Sequence, residues 1–356
     1  MTMTMTVLRS LAALTALASG AVATFDIDSS PNAVGICYSV WHSITYDGTA
    51  PPPDITEIEA GNGAFSGQGA WHWWGRPEGG YYRGDNRGVY DRHFQQISGA
   101  GIDFIVIDAT NLQGYGEYAP GLFTEPSDVL LDEMKVQRAA GVSTPHVVFW
   151  VRTNAEDADP AAVGRFVRDR YMNHPDYQDF FVTLGGKPLL VTTDTLPDEL
   201  AADFTLRKMW GLQGTLAEAE WSFLQDAPQN VAMSGGAPEQ VSVCTAKQAD
   251  YMTNFDSATP RRQGETFRDQ WQRAFDVKPK VVMLTWWNEW AAQRQADNGS
   301  GQPQFVDNYN AEYSRDIEPM DPSQVTSHGS KYLDWTTQYI SAYKMNQPIP
   351  GGLAGY

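Results

Sequence analysis

Short apolar runs recur along the chain, most of them ending in polar or aromatic residues, a pattern expected of strands buried on both faces of a parallel sheet. Eight such runs cover residues 34–42, 104–108, 146–152, 188–194, 204–210, 221–225, 241–245 and the stretch that begins at Pro279. Segments of helical period lie between many of them. Residues 89–98 place Tyr90, Phe94 and Ile97 on one side before Gly99-Ala100-Gly101, and 127–140 run from a capping Ser127 to Gly141. Pro160 opens a helix to about 172, Phe267, Trp271 and Phe275 share a face within 266–275, and 331–344 carry Tyr332, Trp335, Tyr339 and Tyr343. This alternation predicts an α/β fold, a (β/α)8 TIM barrel, as a single domain over residues 24–346. A doubly wound open sheet is the alternative, but no Gly-rich phosphate turn follows the first run. In a barrel the C-terminal strand ends share one mouth, where Asp108, Arg152, Asp194, Asp226 and Glu289 are expected to gather.

The N-terminus carries Arg9, an apolar segment and then Ala21-Val22-Ala23, which reads as a secretory signal over residues 1–23. No later run reaches the ~20 apolar residues of a membrane helix, so the expectation is a secreted protein without a membrane partner, and a monomer. A net charge of −18 with an isoelectric point near 4.6 argues against nucleic acid. Cys37 and Cys244 fall inside expected strands and are read as two buried thiols rather than a disulfide. The six histidines never fall at zinc-binding spacing, and no Gly-x-Ser-x-Gly elbow occurs, so neither a metal, another cofactor nor a serine triad is expected. Residues 347–356 read as a flexible tail.

The last strand is the most informative. Val281-Val282-Met283-Leu284 is followed at once by Thr285-Trp286-Trp287-Asn288-Glu289-Trp290. A carboxylate walled by indoles at a strand end is partly desolvated, which raises its pKa and suits a general acid; the plainer alternative is a structural Glu289 paired with an arginine such as Arg294. Carboxylates among tryptophans are the equipment of glycoside cleavage, in which two carboxyl groups flank the scissile bond and aromatic faces stack on sugar rings. Asp226 is the first choice as partner of Glu289, with Asp194 and Asp108 as competitors; alternatively Asp226 caps the turn before Pro228 and points outward. The 12 tryptophans and 16 tyrosines exceed what packing asks for. Expected substrate contacts are Trp41, His42, Trp71, Trp73, Asn111, Trp150, Arg152, Trp210, Trp287, Asn288 and Trp290. The Gly/Pro/aromatic stretch 43–87, with Trp71-His72-Trp73-Trp74, reads as a lid or subsite wall, or else as a packed loop core.

Trp287-Asn288-Glu289-Trp290 at the end of a barrel strand, with Gly186-Lys187-Pro188-Leu189-Leu190-Val191 opening an earlier one, resembles the secreted barrel glycoside hydrolases of families 99 and 71 and the endo-fucanase-type family 168. The segment Tyr309 to Met320 resembles the one that follows this motif in related secreted proteins. The resemblance implies an enzyme hydrolysing O-glycosyl bonds in a polysaccharide, endo-acting, with Glu289 matching the first catalytic Glu of family 99. That family carries a second catalytic Glu three positions on, where this chain has Ala292. The rival reading is a carbohydrate-binding barrel without activity. A sulfated substrate would call on Arg152, Arg207 and Lys208, against the overall acidity.

Overall fold

The computed structural model describes residues 24–111, 120–154, 156, 159–250, 252–253, 258–297 and 301–351, so the signal-like segment 1–23 and the end of the tail lie outside it. In chain order the strands are β1 (Ala33–Tyr38), β2 (Trp71–Trp73), β3 (Phe104–Ala109), β4 (His146–Val151), β5 (Thr183–Leu184), β6 (Lys187–Thr192) and β7 (Thr205–Gly211). They continue as β8 (Glu220–Leu224), β9 (Ala232–Ser234), β10 (Ala237–Cys244), β11 (Met252–Thr253), β12 (Val281–Thr285), β13 (Ala291–Gln295) and β14 (Gln304–Val306). The helices are α1 (Ile55–Glu59), α2 (Arg87–Gly99), α3 (Glu125–Ala139), α4 (Ala162–Val167), α5 (Asp198–Ala201), α6 (Glu265–Val277) and α7 (Lys331–Lys344).

The eight expected runs become β1, β3, β4, β6, β7, β8, β10 and β12, and they pair in parallel in the order β8-β7-β6-β4-β3-β1-β12-β10, with β9 antiparallel on the far edge of β10. This is an α/β barrel of the expected kind. Alternation along each strand builds two cores. On β3, Ile105 and Ile107 pack outward against the helices while Phe104 and Val106 face the barrel interior. A Cβ at Gly35 would lie 2.3 Å from the Phe104 ring, so only glycine leaves room for that ring. On the outside, Trp271 of α6 stacks on Tyr339 of α7 at 5.5 Å.

No ladder pair joins β8 to β10 among the described residues; a glutamine side chain bridges the seam. The Ser222 N–H donates to Gln240 Oε1 at 3.0 Å, and Gln240 Nε2 donates to the Ser222 carbonyl at 2.7 Å. The amide thus makes the two bonds that a neighbouring peptide would. No helix forms in the connections from β7 to β8 and from β8 to β10, the second of which carries β9; α6 covers this side instead, Gln270 donating to the Gln225 carbonyl at 3.1 Å.

Several local expectations are corrected. The first strand ends at Tyr38, and Trp41–Ile44 form a 3-10 turn. Ser127 is not a cap: α3 begins at Glu125 with Pro126 in its first turn, and Ser127 is buried within it. The helix expected over 160–172 is α4 followed by a wider π turn, Arg168–Met172. The long stretch 43–87 is no bare loop. Its β2 pairs with β13, Trp73 opposite Ala291 and His72 opposite Ala292, within a four-stranded sheet of order β11-β14-β13-β2. A third core of Trp73, Trp74, Trp290, Phe305 and Met320 lies beneath it. Cys37 and Cys244 are free and buried. In the tail, Ile349 packs against the outer core. No helix of the described residues is long and apolar enough to cross a membrane.

Candidate active site

Strand β12 stops at Thr285, and with it stops the alternation that sequence reasoning extended through residue 290. Trp286 and Glu289 reach the cavity at the barrel mouth, whereas Trp287, Asn288 and Trp290 do not line it. Trp287 is fully buried, its ring edge-on to His93 at 5.6 Å. Asn288 accepts from the Ser39 N–H at 2.8 Å and donates back to the Ser39 carbonyl at 2.9 Å. Trp290 stacks on Trp74 at 4.2 Å and donates its indole N–H to Glu318 at 2.6 Å. These three residues, expected as substrate contacts, are therefore placed in the framework and not on the cavity wall. The Glu318 carboxylate also takes a bond from Tyr82 at 2.8 Å and pairs with His93 at 2.8 Å. Burial opposes its charge, yet His93 and these donors hold its pKa below the ordinary glutamate value.

The cavity has a volume of about 460 Å³. Its aromatic lining includes Trp41, Trp71, Trp150, Trp210, Phe223 and Trp286. Three of its carboxylates are Glu289, Asp307 and Asp108. Glu289 is only 4% exposed; its Oε2 accepts from Arg315 at 2.7 Å and from Asn308 at 2.9 Å, and its N–H donates to Asp316. The same Arg315 nitrogen lies 3.5 Å from Asp307 Oδ1, so the two carboxylate oxygens are separated by no more than the sum of those distances, about 6.2 Å. Gln248 ties the group together, accepting from Arg315 at 2.6 Å and donating to Asp307 at 2.9 Å. The guanidinium lies 4.9 Å over the Trp286 ring.

Electrostatics follow from this packing. Burial pushes the Glu289 pKa well up; Arg315 pulls it back, while Asp307, Asp316 and Asp108 push it further. Burial raises Asp307 too, against Arg315 and Gln248, and it raises Asp108. Asp316 is pushed up by burial to about 6. Burial opposes the Arg315 charge, but Glu289 and Asp307 outweigh it and raise its pKa. Burial raises both carboxyls and the shared guanidinium pulls both back, a balance that suits one carboxyl to carry a proton beside a charged partner. That state presents an acid and a base together.

The remaining expected residues divide. Asp108, Trp41, Trp71, Asn111, Trp150 and Trp210 line the cavity with Glu289. Asp226 does not; its side chain is 80% exposed and paired with Lys247 at 2.9 Å, so pairing it with Glu289 across the mouth is corrected. β8 ends at Leu224, and the chain carries Asp226 outward. Asp194 is also outside this cavity, 3.5 Å from Lys208. Arg152 is not among the lining residues. His42 is buried, its Nε2 donating to the Asn288 carbonyl at 2.9 Å; burial pushes it down to about 4, which keeps it neutral. Trp73 is core, edge-on to Tyr82. Asp307, Arg315 and Gln248 are among the cavity's unforeseen polar residues, and the buried Asn308 supports Glu289 from behind. The resemblance of the segment Tyr309 to Met320 was the one signal that pointed towards Arg315.

No family model matches the sequence, and no curated protein matches it. Among solved structures the chain resembles the family 99 endo-α-mannosidase of Bacteroides thetaiotaomicron, with a TM-score of 0.53 at 14% identity over 89% of this chain and 99% of that one. The same enzyme in complex with bis-tris-propane gives 0.52 at 12% identity, over 89% and 99% of the two chains. A glycoside hydrolase-like protein gives 0.50 at 12% identity, over 90% and 97%. At these identities the likeness is one of fold.

Proposed function

We propose that this protein is a glycoside hydrolase that cleaves a polysaccharide internally, with Glu289 as the acid/base and Asp307 as the second carboxylate. The observation that carries the reading is the pair of carboxyls sharing Arg315 beneath an aromatic cavity at the barrel mouth. Protonated Glu289 gives its proton to the departing glycosidic oxygen, and Asp307 meets the anomeric carbon from the other side. An oxygen separation of at most about 6.2 Å accommodates the ~5–5.5 Å of a retaining pair, in which the second carboxylate is a nucleophile. Once it has lost its proton, Glu289 is stabilised by Arg315 and Asn308 and activates the water that releases the sugar. Asp108 orients a substrate hydroxyl, and the tryptophans stack on the sugar faces. The N-terminal signal pattern fits export to where polysaccharides are met.

Ala292 favours a second reading, a barrel that binds glycans without cleaving them. Ala292 is buried on β13 opposite His72 and does not line the cavity, so the second carboxylate must come from elsewhere, and Asp307 supplies one. The test is reducing-end release from mannans, fucans and α-glucans. Glu289→Gln and Asp307→Asn should each lower turnover by about 10²-fold or more while binding persists. Polymer retention in gels without any release of ends by the wild type, or near-normal turnover in both variants, would refute the proposal.

A further inference from the structure

A second cavity, of about 280 Å³, adjoins the first and is lined by Asn154, Thr193, Asp194, Lys208, Gln213 and Trp210. Trp210 belongs to both linings. Of the chain's 12 tryptophans it is the most exposed, at 42%. That exposure does not come from looseness. The ring is held against Trp150 at 5.9 Å and 62° and against Phe223 at 6.0 Å and 85°, both of them walls of the main cavity. Leaving part of an indole in water forgoes hydrophobic burial, and a ring fixed between two cavities is a platform for something that spans them.

The polar side of the second cavity has a definite chemistry. Lys208 Nζ lies 3.5 Å from Asp194 and 3.2 Å from Glu220, so an ammonium sits between two carboxylates. Gln213 donates to Glu220 at 3.0 Å, and its Oε1 is a buried acceptor without a partner among the described residues. A carboxylate beside an ammonium suits a vicinal diol, because one hydroxyl donates to the carboxylate while its neighbour accepts from the ammonium. The Asp194–Lys208 pair is partly exposed and stretched, a weak contact in water, so a diol inserts at little cost. An anionic sugar is disfavoured by the flanking carboxylates. The neighbouring cation Arg207 is engaged by Glu239, at 2.5 and 2.8 Å, and offers nothing to a sulfate.

We propose that the cavity beyond Trp210 is a distal subsite for a neutral sugar unit, bound through a vicinal diol at Asp194 and Lys208, and that the glycan chain crosses the Trp210 indole to reach it. The inference rests on the glycoside hydrolase reading and adds a substrate class to it: an uncharged glycan long enough to fill both cavities.

The test uses the full-length protein and ladders of neutral α-manno- and α-gluco-oligosaccharides from disaccharide to octasaccharide, with sulfated fuco-oligosaccharides of the same lengths. Wild-type kcat/KM on the cleaved neutral series should rise on the order of tenfold at one step of length, about 1.4 kcal/mol. Trp210→Ala should flatten that step, Trp210→Phe should keep part of it, and Asp194→Asn should reduce it. Independently of turnover, long oligosaccharides should protect the Glu289→Gln protein from acrylamide quenching of its tryptophan fluorescence more than short ones do, and that extra protection should vanish once Trp210 is Phe. Cleavage with a length step that survives Trp210→Ala, or a preference for the sulfated series, overturns the subsite and leaves the hydrolase reading standing. Cleavage and binding of none of the ladders or polysaccharides overturns both.

Discussion

Replacing Arg315 by Met tests the electrostatic frame of the site. The guanidinium is buried, with 2% of its side chain exposed, and stands 2.7 Å from Glu289 and 3.5 Å from Asp307. Removing one partner of a buried ion pair typically costs about 3–5 kcal/mol, because the charge left behind has no compensation. With an unfolding entropy of ~2.1 cal/mol/K per residue, a folded body of ~330 residues has roughly 0.7 kcal/mol/K, so the melting midpoint should fall by about 4–7 °C near neutral pH. The dependence on pH has a definite sign. Both carboxyls have raised pKa values in the fold, with burial the leading cause, so the stability they contribute is complete below the ordinary carboxyl range and is lost as pH rises through their folded values. Without Arg315 those values climb further, so the carboxyls become increasingly neutral as pH falls towards 5 and the loss shrinks towards that of hydrogen bonds, at about 0.5–1.5 kcal/mol each. Calorimetric melts of wild type and variant at both pH values measure the two differences. An unchanged midpoint near pH 7, or a loss as large near pH 5 as near pH 7, would show that Arg315 does not hold this pair.

Asp226→Asn should leave the rate of glycan cleavage within about twofold of wild type, since the carboxylate is 80% exposed on the outward side of Lys247; a loss of tenfold or more in reducing-end assays would return it to the mechanism. Gln240→Met should open the β8–β10 seam by leaving both Ser222 backbone groups unpaired, at roughly 1–3 kcal/mol for each buried group. Denaturant titration reads that cost, and a midpoint equal to wild type would mean that another contact closes the barrel.

What could be read from the chain in advance follows from burial. Strands covered on both faces are largely apolar, so β1, β3, β4, β6 and β12 stood out, whereas β7, β8 and β10 were fainter: β7 carries Arg207 and Lys208 on partly exposed positions, and β7 and β8 lack a full helix between them. Glu289 was legible for the same reason, as a carboxylate where apolar residues were due. The direction of a side chain beyond a strand end was not. Asp226 and Asp194 also follow barrel strands, yet one turns outward and the other faces the smaller cavity, because alternation fails once the ladder ends. Asp307 was invisible: it lies just beyond β14 at a left-handed φ of 63°, in a segment whose own composition says only that it is polar. Its place at the cavity comes from the pairing of β14 with β13 and β11, a contact no local pattern encodes. The tryptophans of 71–74 misled in part, since an indole packed in a cap and one facing a cavity carry the same letter. Only Trp71 of the three reaches the main cavity.

The division of labour at residues 286–290 explains how a single exposed function can depend on a long buried motif. The segment at 315–318 runs beside it like a further strand: Trp286 N–H donates to the Arg315 carbonyl at 3.0 Å, Ile317 N–H to Trp286 at 3.0 Å, and Glu318 N–H to Trp287 at 2.9 Å. On the other flank, Trp287 N–H donates to Cys37 at 2.9 Å and Asn288 clasps Ser39. The register that places the Glu289 carboxyl therefore also places Arg315, and a slip of one residue would bring Ser314 or Asp316 to the acid instead of the cation. Asn288 and Trp290 hold that register by bonds to Ser39 and Glu318, and neither lines the cavity. Such a frame holds carboxyl and cation in fixed positions, which under the proposed function leaves little reorganisation for the reaction to supply. Damage to Asn288, Trp290 or Glu318 would therefore be felt at Glu289 through geometry, since none of the three lines the cavity.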